Sequence, residues 1–457
     1  MINLNELQEL INQEEVETVI VSFPDMYGRL LGKRVSATFF LSDVAEQGIN
    51  ACDYLLASDM EMSPSVGYEF TSWEKGYGDI KLVPDWNTLR IASWLSKTAL
   101  VLCDVTTSDG LRPVAIAPRT ILARQVEKAK AAGFLPQGAT ELEMFVFRDS
   151  YGQAREKGFS NLQPFSSYIE DYHILQAARE EPLIGAIRHH LEQSGIPVET
   201  SKGEWGAGQH EINIRYSPLV EMGDRTVLFK EICKEIAIQQ GVSLTFMAKW
   251  SEDAAGNSMH VHSSLWEMDG EKSIFAGNER VPGLPVTCSP LFRWYLGGLI
   301  AHARELALFF APNVNSYKRY QQSSFAPTRI AWAYDNRSVG FRVLGSGNNL
   351  RVECRIPGAD ANPYLALSAI LAAGLDGIEN RTEPPEAMSG NAYSASEAQL
   401  LPGNISQAIR LFEGSSFVRA AFGDDVVNHY VQFARQEEEA FSRAVTDWER
   451  ARFFERI

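Results

Sequence analysis

The N-terminal part of the chain is patterned for strands. Glu17–Phe23 is a β-branched run, Asp25-Met26-Tyr27-Gly28 a turn, and Leu30–Ala37 a second run, a combination that predicts a β-hairpin. Ala99–Val105 predicts a further strand. Ser108–Pro118, with Pro113 and Pro118 as breakers, predicts a linker, and Arg119–Ala132 a helix with Pro118 at its first turn. Beyond it, strand and helix patterns alternate to Ile457. Asp224–Gly241 and Leu291–Phe310 have helical apolar spacing, Pro363–Asn380 predicts a buried helix, and Val426–Glu449 predicts an amphipathic surface helix. The expected organisation is α+β, with a small domain over 1–107 and a larger one over 108–457.

Four segments carry polar residues where such patterns are normally apolar. In GATELEMFVFR (138–148), read as a strand, Thr140, Leu142, Met144 and Val146 share one face, while Glu141 and Glu143 share the other with two phenylalanines. Glu204 and Glu211 bracket a glycine-rich loop, EWGAGQHE. In GNSMHVHSS (256–264), His260, His262 and Ser264 share a strand face. In LRVECRI (350–356), Arg351, Glu353 and Arg355 share one. Each has a bland alternative: an edge strand turning glutamate to water, or a satisfied core histidine. Together they make five glutamates and a histidine that could converge. Each close pair of like charges costs roughly 4 kcal/mol at an effective dielectric near 20, and two divalent cations would remove that cost. Carboxylates with one imidazole suit Mg2+ or Mn2+ better than Zn2+.

Length and charge narrow the function classes. At 457 residues the chain is too long for one ordinary core, and a net charge of −16 argues against a nucleic-acid surface. No apolar run approaches a membrane span, the N-terminus lacks an apolar signal-peptide region, and five scattered cysteines suit a reducing compartment, so a cytoplasmic protein without membrane or nucleic-acid partners is expected. An anionic substrate would need a local cationic pocket. Asn315-Ser316-Tyr317-Lys318-Arg319, Asn336-Arg337, Arg342, Arg351 and Arg355 could form one, because planar guanidinium groups bind carboxylates and phosphates in bidentate fashion.

The ordered set ELE (141–143), EWGAGQHE (204–211), GNSMHVH (256–262), NSYKR (315–319), NR (336–337) and RVECRIPGADANPYLA (351–366) resembles glutamine synthetase over nearly the whole chain. The resemblance implies a β-grasp N-terminal domain, a catalytic α/β domain, and stacked hexameric rings forming a dodecamer with sites between subunits. It implies one metal at Glu143, Glu204 and Glu211, and another at Glu141, His260 and Glu353. L-glutamate would be held by Arg319, Arg355 and Gly256. ATP and its transferred phosphoryl group would be served by Arg337, Arg342, Arg351, His262 and Ser264. The reaction would pass through γ-glutamyl phosphate, with Arg337 acting on the reacting groups.

Two departures from the glutamine-forming enzymes fall on the acceptor side. Their Asp-Gly-Ser-Ser tetrad is absent; the corresponding SDMEMSPSVGYEF (58–70) offers only Asp59 and Glu61 as bases. Their flap glutamate is replaced by Phe325. A separate and milder change, in the glutamate-entry loop, puts Ala255-Gly256 where those enzymes have Asn-Gly. The metal and phosphate positions are intact. This asymmetry implies a glutamate–amine ligase whose acceptor is a small organic amine contacting Phe325. A glutamine synthetase using ammonium and a catalytically inactive relative are the alternatives.

Overall fold

A computed structural model describes residues 1–457. β1 (Thr18–Pro24) and β2 (Leu30–Ser36) form the expected antiparallel hairpin. Its turn is fixed by Asp25, whose Oδ1 accepts from the backbone N–H of Tyr27 at 3.0 Å and of Arg29 at 2.8 Å. With β3 (Ile49–Cys52), β4 (Asp79–Pro84), β5 (Arg90–Ile91) and β6 (Thr98–Thr107) it builds a six-stranded sheet of order β2-β1-β6-β4-β3, in which β5 pairs β6. β1 runs parallel to β6, giving the β-grasp arrangement.

The second sheet has nine strands: β7 (Leu135–Phe147), β8 (Val198–Gly203), β9 (Gln209–Ile214), β10 (Ser217–Pro218), β11 (Ser243–Thr245), β12 (Met259–Trp266) and three later strands. β13 (Glu279–Arg280) and β14 (Thr287–Cys288) form a separate small hairpin. The later strands of the large sheet are β15 (Trp332–Tyr334), β16 (Phe341–Leu344) and β17 (Arg351–Cys354), in the order β15-β16-β17-β12-β7-β9-β8. Helices Pro118–Ala131, Leu219–Gln239 and Pro363–Asn380 cover one face. Thr140, Leu142, Met144 and Val146 of β7 are buried against them, and Thr140 is hydrogen-bonded to Thr226 at 2.8 Å. Alternation then turns Glu141 and Glu143 to the open face.

One continuous apolar core runs beneath both sheets. Arg119 ties them together: it pairs with Asp224 of the long helix at 2.9 Å, with Asp85 at 2.5 Å, and with Asp104 on β6. Two expected helices are interrupted. Leu291–Phe310 divides into Pro290–His302 and a short turn, Ala307–Phe310. Val426–Glu449 is broken after Arg443, because Ala444 is extended and Thr446 with Glu449 forms a capping box that starts a new helix, Asp447–Phe453. No helix is long and apolar enough to cross a membrane.

Candidate active site

Strand register assembles the acidic residues. Antiparallel pairing sets Glu143 of β7 opposite Glu211 of β9, Glu141 opposite His260 of β12, and His262 opposite Glu353 of β17. Directly paired residues share a face, so one side of the sheet presents all of them. Glu204 joins from the loop after β8. That loop passes over Phe145 so closely that a Cβ on Gly206 would lie 2.4 Å from the ring.

The side chains form two groups whose ligating atoms lie within 4.8 Å of one another: Glu141, His260 and Glu353, and Glu143, Glu211 and His260. The first is the expected triad. His260 Nδ1 lies 3.4 Å from Glu141 and 3.5 Å from Glu353, and Glu141 also meets His262 at 2.9 Å. In the second group His260 stands where Glu204 was expected, because Glu204 is drawn to the ammonium of Lys202. Lys202 is also 3.9 Å from Glu211.

The electrostatics of this cluster call for cations. Burial, with Glu204 beside it, pushes the Glu143 carboxyl up to about 7. Burial and neighbouring Glu141 push Glu211 well above the carboxylate range. Burial, reinforced by Arg355, pushes His260 down to about 4, leaving a neutral imidazole suited to a metal. Burial acts against ionised Glu141 as well, but His262 and His260 outweigh it and hold its carboxyl well below the usual range. Oxygen donors with one neutral imidazole fit hard divalent cations.

The arginines close the other side of the same cavity, which has a volume of about 780 Å3. Arg355 Nη1 donates to Glu353 at 2.5 Å, and Arg342 Nη1 to its other oxygen at 3.1 Å. Arg319 is buried and donates to the carbonyls of Ile356 at 2.8 Å and Arg355 at 2.9 Å. Arg337 also lines this cavity, with Gly256 and Phe325. The remaining expected nucleotide residues, His262, Ser264 and Arg351, line an adjoining cavity of about 250 Å3 that shares Glu141 with the first. Arg351 Nε donates to His262 Nδ1 at 3.2 Å.

Several contributors escaped the sequence reading. Gln209 Nε2 lies 3.3 Å from Glu143, 2.9 Å from the Gly256 carbonyl and 3.0 Å from Asn257, joining three motifs. The Ser258 N–H donates to Glu143 at 2.8 Å. Trp205 and Tyr172 line the cavity beside Phe325 and Lys202. Lys202 was detectable in principle, two positions before Glu204; the structure pairs it across the strands with Glu211. Asp59 and Glu61 lie outside the cavity of their own chain: Asp59 accepts from the Ser63 N–H at 2.8 Å, and Glu61 is exposed.

Residues 115–453 match the model of the glutamine synthetase catalytic domain. The chain is 46% identical to gamma-glutamylethanolamide synthetase GlnA4 of Streptomyces coelicolor over 100% of its length and 96% of that protein. It is 36% identical to a glutamate–isopropylamine ligase of a Pseudomonas species, covering 99% and 98% of the two chains. A glutamine synthetase of Thermotoga maritima is 31% identical, with 98% of each chain covered. The ligand-free structure of GmaS superposes with a TM-score of 0.85 at 28% identity, covering 99% of this chain and 100% of that one. With its strand-borne carboxylates, its arginine wall and this full-length similarity, the chain belongs to the glutamine synthetase family.

Proposed function

We propose that the protein is an ATP-dependent glutamate–amine ligase that takes a small primary amine with an apolar substituent. The γ-carboxylate of L-glutamate attacks the terminal phosphorus of ATP, and the bond to the bridging oxygen breaks, giving ADP and γ-glutamyl phosphate. The amine nitrogen then attacks the acyl carbon, phosphate leaves, and a base takes the nitrogen's proton. The observation that carries this reading is the combination of an intact acidic and cationic cavity with an aromatic acceptor wall, Phe325 and Trp205. Relatives named for ethanolamide formation and for isopropylamine support the same acceptor class.

In this reading Glu141, His260 and Glu353 would hold one divalent cation, and Glu143, Glu204 and Glu211 another, for which the Lys202 ammonium would have to leave Glu204. Mg2+ or Mn2+ would supply charge neutralisation and polarise phosphoryl oxygens. Arg319 and Arg355, with the Gly256 backbone, orient glutamate. Arg337, Arg342, Arg351, His262 and Ser264 serve ATP, and Arg337, the exposed one, contacts the transferred group. Catalysis rests mainly on positioning and charge stabilisation.

The acceptor base is assigned to Asp59 or Glu61 of a neighbouring subunit in a double hexameric ring. Exposed Trp448, Phe454 and Ile457 near the C-terminus support a further subunit contact. The unit over residues 1–107 would be the part contributed across the ring. Five unpaired cysteines support a cytoplasmic setting. ADP release with glutamate and a panel of amines tests the function. Glutamate-dependent ADP release that no amine accelerates above ammonium would return the protein to glutamine synthesis.

A further inference from the structure

On the other face of β9 from Glu211 lies a second cluster that this reaction does not use. His210 points away from the cavity, its Nε2 3.2 Å from Glu170 Oε2 and in direct contact with Glu180. The three residues are 1%, 0% and 0% exposed, respectively. Their ligating atoms lie within 4.8 Å of one another. Neither carboxylate has a lysine or arginine partner; His210 is the only ion-pair partner of both. The oxygens of Glu170 and Glu180 face only Ser166, each other and His210 Nε2, and none of these contacts is a well-formed hydrogen bond.

The arrangement is built rather than incidental. Glu180 immediately precedes the helix Glu181–Gln193, where a carboxylate would normally bond the free amides, yet it makes no such cap. Glu170 packs onto β8 so closely that a Cβ on Gly203 would lie 2.4 Å from its own Cβ. Its neighbours are tied to the strands: Asp171 N–H donates to the Glu204 carbonyl at 3.1 Å, and Ile169 bridges Ala207. Two buried carboxylates that face each other with no lysine or arginine beside them are strongly destabilising when both are ionised. One divalent cation balances both charges. The donor types are those of the active-site triad, but this site is closed to solvent, and Mg2+ keeps several of its waters, so an ion held here without them would be of the Zn2+ or Mn2+ class.

We infer that Glu170, Glu180 and His210 form a structural site for a divalent transition-metal ion, of the Zn2+ and Mn2+ class. The ion would clip residues 169–172 and the start of the following helix to the back of β9. The clipped segment supplies Asp171 and Tyr172 to the catalytic cavity, so the ion would stiffen that side of the cavity without touching substrate. The competing occupant is a proton: burial and Glu170 push the Glu180 carboxyl up to about 8.

Metal counting separates the two, and it does not depend on the proposed activity. The full-length protein is stripped with EDTA, dialysed against Zn2+ in a large excess of Mg2+, and freed of loose metal by gel filtration. One zinc per subunit is expected in wild type and in Glu141→Gln/Glu143→Gln, and none in His210→Asn. Zinc lost from the active-site double variant, or kept in His210→Asn, overturns the site. If wild type retains no Zn2+, the experiment is repeated with Mn2+, and retention of neither leaves the shared proton. Should His210→Asn fail to fold, anomalous scattering at the zinc edge from wild-type crystals decides. A peak between the three side chains supports the site, and its absence overturns it.

Discussion

Trp205 and Phe325 meet edge to face across the cavity opening, ring centroids 6.2 Å apart and planes at 67°. Phe325 holds this position with φ +59°, in the left-handed region that bulky side chains rarely adopt. Such conformations cost about 1–3 kcal/mol and gather at functional sites. Under the proposed function, this strained position puts an aromatic ring at the place where the resemblance to glutamine synthetase implies a carboxylate that captures ammonium and takes its proton.

Ammonium should be a poor acceptor for this reason. Each buried methylene contributes about 0.8 kcal/mol, or roughly fourfold in kcat/KM when fully expressed in the transition state. A three-carbon substituent would favour the amine by about 60-fold. The measurement is kcat/KM for ammonium, methylamine, ethanolamine, isopropylamine and putrescine. Phe325→Glu should shift the preference toward ammonium; an unchanged preference would move selectivity into the 58–70 loop.

Glu141→Gln and Glu353→Gln should each lower ADP formation by on the order of 100-fold or more while the oligomer stays assembled. Glu353 also holds Arg342 and Arg355, so its loss disorders the arginine wall as well. Near-native turnover of either variant in saturating Mg2+ would remove it from the metal assignment.

Metal-free protein should lose stability as pH rises. The Glu143 carboxyl is pushed up to about 7 by burial and Glu204, against an ordinary value of 4.5. Between those values the folded state binds more protons than the unfolded one, so stability falls as pH rises through that window. Glu211 is shifted in the same direction. The rise in Tm produced by Mg2+ over EDTA should thus be larger at pH 8 than at pH 5.5, because the cation binds the deprotonated form. Equal rises at both pH values would contradict the cluster's role.

Lys202 stands in for a cation at Glu204 and Glu211. Lys202→Met should lower the Mg2+ concentration needed for half-maximal activity by a few-fold, since the ion no longer displaces an ammonium. The same variant should melt lower in EDTA. A higher Mg2+ requirement would show instead that Lys202 helps to orient the ligands.

A shared active site predicts complementation. Inactive Glu143→Gln and inactive Asp59→Asn or Glu61→Gln protomers, mixed with subunit exchange, should regain part of the wild-type activity. No recovery in verified hybrids of two dead parents would confine the site to one chain.

Sequence alone determined the local elements and most of the site's chemistry. Period-two alternation in β7 and β12 put Glu141 with Glu143 and His260 with His262 on common faces, because pleating sends successive side chains to opposite sides. The β1–β2 hairpin and the helix Pro363–Asn380 were equally local, set by turn residues and composition. The tertiary structure decided what strand order and loop paths bring together. Pairing of β7 with both β9 and β12 set Glu143 beside Glu211 and Glu141 beside His260, over sequence separations that no local pattern encodes. The same long-range packing brought Trp205 to Phe325. It also gathered Glu170, Glu180 and His210 behind β9. Ion pairs and dry clusters depend on three-dimensional proximity and burial, which a linear pattern does not specify.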